Sequence, residues 1–340
     1  MALPTHNPRL KFIKEGWTGN QRSDDGRSYL NIDGASEKGL LDVLRWQLAP
    51  KPFKNLKRNQ KSCLDVVDDR LFLEKSQEGI TWLGHTTYVV DVEGLRLITD
   101  PILYDISFIK RFTPLPCEPS QLLDIDFILL SHNHRDHIDE KSLKQLCTLN
   151  PQATILTGLQ TGKLLRQWKI KNEVIEAGWY QTFGLQGPLD IHSLPAKHWT
   201  RRYLKDTNLT LWGSFMIASH KRQHHLYFGA DSGYGMHYKD IADLYPSVDV
   251  ALLGIGAYEP YWFMHPSHTG PEDALKAIAD LKAKCFMPMH YGTFDLSDEP
   301  VFYPEQKLKE VAAKEGIDFI KYNKIGEKTH IFGKLHHDYL

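Results

Sequence analysis

The segment Ser131-His-Asn-His-Arg-Asp-His-Ile138 constrains this chain more than any other. It packs four metal-binding side chains, His132, His134, Asp136 and His137, into six positions. It directly follows the apolar run Phe127-Ile-Leu-Leu130, which suits a strand buried on both faces. It directly precedes Asp139, placed to cap a helix that carries Leu143 and Leu146 on one side. The cluster therefore lies in a loop at the carboxyl end of a strand, where α/β folds put their sites. In an extended segment alternate residues face the same way, so His132 and His134 can meet one cation. Asp136 and His137 lie past the bend and can meet a second. Imidazole and carboxylate ligands suit Zn2+, with Fe and Mn as alternatives.

The cluster alone supplies too few ligands for two ions. Three downstream segments join an apolar run to a polar residue in a turn or glycine context: Leu194-Pro-Ala-Lys-His198, Tyr227-Phe-Gly-Ala-Asp231-Ser-Gly, and Phe286-Met-Pro-Met-His290-Tyr-Gly. A single histidine at a strand end is more often an ordinary surface or core residue. Following an H-x-H-x-D-H loop, in this order, the three read as ligands. The expected set is then His132, His134, Asp136, His137, His198, Asp231 and His290.

The rest of the chain suits such a site. Strands are expected at 80–83, 87–92, 95–99, 211–218, 226–229, 248–255 and 286–289, with a turn at Glu93-Gly94. Helices are expected at 39–47, where Leu40, Leu41, Val43, Leu44 and Trp46 cluster, and at 271–283. Hairpins precede helices in both halves, which implies an α/β sandwich of two mixed sheets flanked by helices. Residues 1–78 are polar and irregular. They are expected to form an N-terminal extension packed on a main domain at 79–340. No short repeat stands out.

Composition narrows the classes. The 340 residues include 41 basic and 42 acidic side chains, so the chain lacks the basic footprint of a nucleic-acid binder, and no nucleic acid is expected as a partner. The basic run Lys51, Lys54, Lys57, Arg58, Lys61 reads as a solvated loop before a phosphate or lipid patch. Cys63, Cys117, Cys147 and Cys285 stand far apart, which suits buried thiols in a reducing compartment. The N-terminus shows no signal-peptide pattern and no run is long enough to span a membrane. The expected location is cytoplasmic, with peripheral membrane contact left open.

With these residues in place, the sequence resembles the metallo-β-lactamase superfamily, in its αββα form. Within it the chain is most similar to the N-acylphosphatidylethanolamine-hydrolysing phospholipase D group and its bacterial relatives. The resemblance rests on Thr81-Trp-Leu-Gly-His85-Thr, 131–139, Pro195-Ala-Lys-His-Trp199, Phe228-Gly-Ala-Asp-Ser-Gly-Tyr234, Gly256-Ala-Tyr-Glu-Pro260 with Trp262-Phe-Met264, and His290-Tyr-Gly-Thr-Phe294. It spans about residues 79–300. It implies His132, His134 and His198 on a first metal, Asp136, His137 and His290 on a second, and Asp231 bridging both.

The activity so implied is a zinc-dependent phosphodiesterase cleaving N-acylphosphatidylethanolamine-like lipids through a metal-bridging hydroxide. Asp136, Asp231 and His268 would be its catalytic residues. His268 reads equally as a group that holds phosphate or protonates the leaving oxygen and as a histidine that merely supports the ligands. Tyr258, Glu259 and Trp262 are expected to line the substrate pocket. His85, Asp100 and Asp139 are expected to support the ligands from behind. Residues 103–116 could line an acyl groove, though packing under a loop is the commoner fate of such a stretch. His224-His225 and His336-His337 read as surface pairs. The alternative activity is a lactonase or another ester or amide hydrolase. A di-iron redox protein is disfavoured, since such relatives carry Glu where this chain has His134. A homodimer is the assembly the resemblance implies, with a small molecule or phospholipid as substrate.

Overall fold

The computed structural model describes residues 2–34, 37–60, 64–68, 70–75, 77–221 and 223–330. Cys63 and the pair His336-His337 lie outside them. In chain order the strands are β1 Gly79–Gly84, β2 Thr87–Val92, β3 Leu95–Thr99, β4 Phe127–Leu130, β5 Thr154–Gly158, β6 Val174–Ala177, β7 Gln181–Thr182, β8 Leu189–Leu194, β9 Ser214–Ser219, β10 His225–Phe228, β11 Val250–Gly254, β12 Phe286–Met289 and β13 Lys328–Thr329. The helices are α1 Leu40–Leu48, α2 Lys54–Asn59, α3 Glu140–Leu149, α4 Gly162–Gln167, α5 His237–Leu244, α6 Tyr261–Met264, α7 Pro271–Asp280 and α8 Tyr303–Glu315.

Two mixed sheets form. One runs β13-β1-β2-β3-β4-β5-β6 and the other β12-β11-β10-β9-β8-β7. Period-two alternation explains the layering. In β2, Tyr88 and Val90 join the core shared by both sheets, while Val89 turns to the outer face. In β4, Leu129 points inward, and Ile128 and Leu130 point outward to Leu143 and Leu146 of α3. The second sheet is covered by Ile241 of α5, Ala274, Leu275 and Ile278 of α7, and Leu308 of α8. A run that is apolar at every position is thus sandwiched, as in the expected architecture.

Strand direction builds the site. β1 is antiparallel to β2 and β2 to β3, while β3 and β4 are parallel. So β1, β3 and β4 end at the same edge of their sheet. In the second sheet β10, β11 and β12 are parallel, and β8 shares their direction because β9 is antiparallel to both β8 and β10. The loops after these strands carry His85, Asp100, the 132–137 cluster, His198, Asp231, His268 and His290.

Three sequence expectations shift. The strand expected from 211 begins at Ser214, because Leu211 N–H donates to Leu159 and Gly213 N–H to Ser131, tying that stretch to the first sheet's loops. The helix expected at 271–283 ends at Asp280, with Leu281 as its C-cap. Helix α1 forms, but Leu40, Leu41 and Leu48 are 77%, 80% and 86% exposed, so the leucine cluster does not pack as a core face. Only Val43 and Trp46 lie against Ala257, Phe263 and Met264.

Residues ahead of β1 lie partly on the main body. Ile13 N–H donates to Tyr180 and Thr182 N–H to Lys11, and Tyr29 is fully buried. No helix among the described residues is long and apolar enough to cross a membrane.

Candidate metal centre

The loop after β4 turns immediately. His137 and Ile138 N–H both donate to the His134 carbonyl, which bends the chain between the histidine pair and Asp136-His137. His132 Nε2 lies 3.0 Å from His134 Nδ1, and His198 Nε2 lies 3.1 Å from the same atom. Three ring nitrogens thus face one point. On the other side, Asp136 Oδ2 is 3.5 Å from His137 Nε2 and 3.7 Å from His290 Nε2. Asp231 stands between the groups. Its Oδ2 is 3.0 Å from His137 and 3.9 Å from both His132 and His198, and its Oδ1 is 3.2 Å from His290.

The site strands end in kinked backbone. His85, Asp100, Ala230, Ala257 and His290 all have φ between 30° and 62°, a region non-glycine residues rarely enter. Such strain, of order 1–3 kcal/mol per residue, gathers where surrounding structure holds side chains in working positions. Gly256 shows how closely the strands approach, since a Cβ there would sit 1.9 Å from the His290 carbonyl oxygen.

Partners behind the ligands fix their tautomers. Asp100, fully buried, accepts from Ser131 N–H (2.8 Å), Ser131 Oγ (2.5 Å) and His137 Nδ1 (2.8 Å). Ser131 Oγ also meets His132 Nδ1 at 2.9 Å. The Ser267 carbonyl accepts from His198 Nδ1 at 2.8 Å. Each contact leaves Nε2 of its ring facing the centre, the arrangement that orients metal-binding imidazoles.

Electrostatics divides the two groups. Burial pushes His132 well below its usual range, His134 to about 4 and His198 to about 3, so these rings are neutral. Burial would raise Asp136 and Asp231, but the imidazoles around them, His137 foremost, hold both well below the usual carboxylate range. In return, against the effect of burial, Asp231 and Asp136 lift His137 well above its usual range and His290 to about 9.

The donor set fits divalent cations. His137 Nε2, His290 Nε2 and Asp231 Oδ1 are buried without hydrogen-bond partners, although an opposing group lies within 3.2 Å of each. A cation held among these buried polar atoms would satisfy them together. Among the described residues His85, Asp136, His137 and His290 form one candidate ligand group, and His132, His134 and His198 another.

The remaining expected residues fall in different places. His268 Nδ1 is 3.7 Å from Asp231, inside the site. Asp100 stands behind His137. Asp139 lies elsewhere: its Oδ2 accepts from Ser142 N–H (2.8 Å) and Ser142 Oγ (2.7 Å), so it caps α3 and supports no ligand directly. Tyr258 and Glu259 do not face the ligands. Their backbone N–H groups donate to Glu299, and they line a cavity of about 300 Å3 with Tyr261, Glu272, Asp273 and Tyr303. Trp262 packs toward α1, with the Arg45 guanidinium over its ring. The 103–116 stretch splits: Leu103 and Ile106 are buried, and Phe108 is fully exposed. His224 and His225 are half-buried rather than free on the surface, His225 Nδ1 lying 3.1 Å from the Ser247 carbonyl oxygen.

Asn31 was not visible as a site residue in the sequence. Its Nδ2 donates to the His198 carbonyl (2.9 Å) and its Oδ1 accepts from His198 N–H (3.1 Å). No local pattern marks it, because the contact spans 167 positions.

The fold and donor set define a metal-dependent hydrolase of the metallo-β-lactamase fold. The family described as Beta-lactamase superfamily domain matches residues 96–291. The chain is 32% identical to the Caenorhabditis elegans N-acyl-phosphatidylethanolamine-hydrolyzing phospholipase D 1, over 92% of this chain and 93% of that one. It is also 32% identical to the mitochondrial protein of the same name from Saccharomyces cerevisiae, over 68% of this chain and 51% of that one. An isothiocyanate hydrolase from Delia radicum gut bacteria shares the fold, with a TM-score of 0.60 at 20% identity over 74% of this chain and 98% of that one. The chain belongs to the β-lactamase superfamily, among the relatives of the N-acylphosphatidylethanolamine-hydrolysing phospholipases D.

Proposed function

We propose that the protein is a dinuclear, zinc-dependent phosphodiesterase of phospholipase D type, acting on N-acylphosphatidylethanolamine-like lipids. The observation that carries this reading is a two-cation donor set in a chain alike, over nearly its whole length, to the nematode phospholipase D. Bound in the two groups, divalent cations would acidify a water and clamp the phosphoryl oxygens of a diester. The chain's own residues arrange the rest. Asp231 stands between the two groups, Oδ2 facing His137, His132 and His198 and Oδ1 facing His290, where it could be shared by both cations. His268, with Nδ1 3.7 Å from Asp231 and its ring pushed down to about 3 by burial, stands where it can hold a phosphoryl oxygen. Trp199 packs edge-on to His134 at 4.8 Å, with the Arg201 guanidinium over its indole. The exposed Arg201 and Arg135 put positive charge beside the first histidine group, which favours an anionic substrate.

The test uses zinc-loaded protein and N-acylphosphatidylethanolamine in mixed micelles. Water and diester should give phosphatidic acid and an N-acylethanolamine in equal amounts. Turnover of lactones or carboxylic esters, with every phosphodiester inert, would assign the site to the alternative chemistry.

A further inference from the structure

The two ligand groups are unequal. The first offers His132, His134 and His198, with Asp231 beside them. The second offers Asp136, His137 and His290, again with Asp231, and then one residue more. His85 follows β1 and is 1% exposed. Its Nε2 lies 3.3 Å from Asp136 Oδ2. Its ring centroid is 4.1 Å from that of His290 and 5.3 Å from that of His137.

The backbone holds His85 in this place from several directions. Its N–H donates to Thr293 Oγ1 at 2.7 Å. Its carbonyl accepts from Trp82 Nε1 at 2.9 Å and from His290 N–H at 3.0 Å. Its φ is 54°, and the preceding Gly84, at φ 103°, has room for no Cβ, which would lie 2.8 Å from Arg111 and 2.9 Å from Thr293. The local chain is thus bent and packed so that an imidazole enters the second group. The same bend ties His85 to His290, a member of that group.

The distance separates two roles for this ring. A charge-assisted N–H···O bond that merely steadies a carboxylate is about 2.7–2.9 Å long. The His137 to Asp100 contact, of that supporting kind, is 2.8 Å. Two donors on one ion, with bonds of about 2.0–2.2 Å and angles near 90–110°, stand about 3.0–3.5 Å apart. The other neighbouring pairs of the second group are 3.0, 3.2, 3.5 and 3.7 Å apart. At 3.3 Å, His85 and Asp136 fall in the range of paired ligands.

We propose that His85 is a direct ligand of the second cation, giving that ion five protein donors where the first has four. The inference rests on the metal-hydrolase reading above. It has two consequences. The first ion, with fewer protein donors, keeps the more open coordination for substrate. The second position then holds a five-coordinate cation, a number that zinc reaches in catalytic sites and that Mn2+ and Fe2+ also accept.

The deciding measurement is a crystal structure of the full chain loaded with Mn2+ or Zn2+. His85 Nε2 should lie within about 2.0–2.3 Å of the second ion. A separation of 3 Å or more, with the ring hydrogen-bonded to Asp136, overturns the proposal. His85→Gln supplies a solution test, since its amide keeps an N–H for Asp136 but is a poor ligand. Chelator competition should show the second equivalent of metal at least tenfold weaker and the first unchanged. With Co2+, the second ion's visible absorption should intensify as its coordination number falls. Unchanged affinity and spectrum in that variant would also overturn the assignment. Two ions bound with the His85 ring beyond bonding distance would sink this proposal alone, whereas failure to bind any cation would sink the metal-hydrolase reading with it.

Discussion

At the scale of single residues, ligand geometry is set from behind. His198 is positioned by Asn31, which bonds both its backbone N–H and its carbonyl, and by the Ser267 carbonyl on its ring. Asn31→Ala would remove two buried hydrogen bonds to the His198 backbone, a cost of about 1–3 kcal/mol for each. It would also loosen the first ligand group. We expect first-ion affinity to fall about 10–100-fold, the usual cost of losing such a partner, while the second ion is retained. Chelator competition measures this, and full first-ion affinity in Asn31→Ala would refute it. Asp100 makes a parallel case. It accepts three hydrogen bonds, two from Ser131 and one from His137. Asp100→Asn would turn an amide N–H toward one of those donors. The expected result is second-ion affinity lowered by a similar 10–100-fold. Equal metal content in the variant and the parent, under chelator challenge, would count against that role.

At the scale of elements, one buried ion cluster joins the first sheet to the loops beneath it. Arg96 of β3 pairs with Asp91 of β2 through Nε at 2.7 Å and Nη2 at 3.1 Å. Its guanidinium also donates to the Phe72, Leu73 and Leu123 carbonyls. Lys328 of β13 reaches the same Asp91 at 2.9 Å, with its side chain only 3% exposed. Arg96→Leu strips the carboxylate of its bidentate partner and leaves three carbonyls without that donor. Breaking a buried pair from one side costs about 3–5 kcal/mol, so urea unfolding should show a loss of that order with the m-value kept. A loss under 1 kcal/mol would mean that Lys328 alone satisfies Asp91. Nothing in the sequence marked this cluster, since an arginine inside an alternating strand reads as a solvent-facing residue.

What the sequence did reveal is local. Apolar runs at 87–92 and 127–130 locate β2 and β4, and the seven expected ligands occur in loops at strand ends. Helices α2, α4, α5, α6 and α8 and strands β5 to β8 and β13 were not anticipated, and the basic run expected as a loop forms α2 over Lys54–Asn59. In β8, next to the short edge strand β7, the polar Asp190 and His192 alternate with buried residues, and α8 carries only a thin apolar stripe, Leu308, Val311 and Ala312. The role of Asn31 and the placement of Tyr258 and Glu259 depend on contacts between distant segments, which periodicity does not report. Asp139 shows the reverse difficulty: one carboxylate suited two roles, and proximity to the α3 N-terminus decided it.

At the scale of the whole molecule, cation binding, proton release and stability are one coupled equilibrium. In chelated protein His290, lifted to about 9 by Asp231 and Asp136 against its burial, carries a proton at pH 7. His137 is raised in the same way. A cation entering the second group must displace those protons, because a ring nitrogen cannot hold both. Second-ion affinity should therefore rise about tenfold per pH unit for each proton displaced, up to pH 9 for His290. The first group, whose rings are already neutral, should show little such dependence above pH 6. Calorimetry in buffers of different ionisation enthalpy would count the protons released, and a count of zero at pH 7 would contradict the charge state. Stability follows by mass action. Each ion at a free concentration 100-fold above its Kd adds about 2.7 kcal/mol. For 340 residues at about 2.1 cal/mol/K each, that is roughly 4 °C of Tm per ion. Chelation should lower Tm by roughly twice that at pH 8, where both ions bind well. At pH 6 the drop should shrink toward the single-ion value as protons reclaim the second group, and an equal drop at both pH values would break the link between His290 and the second cation.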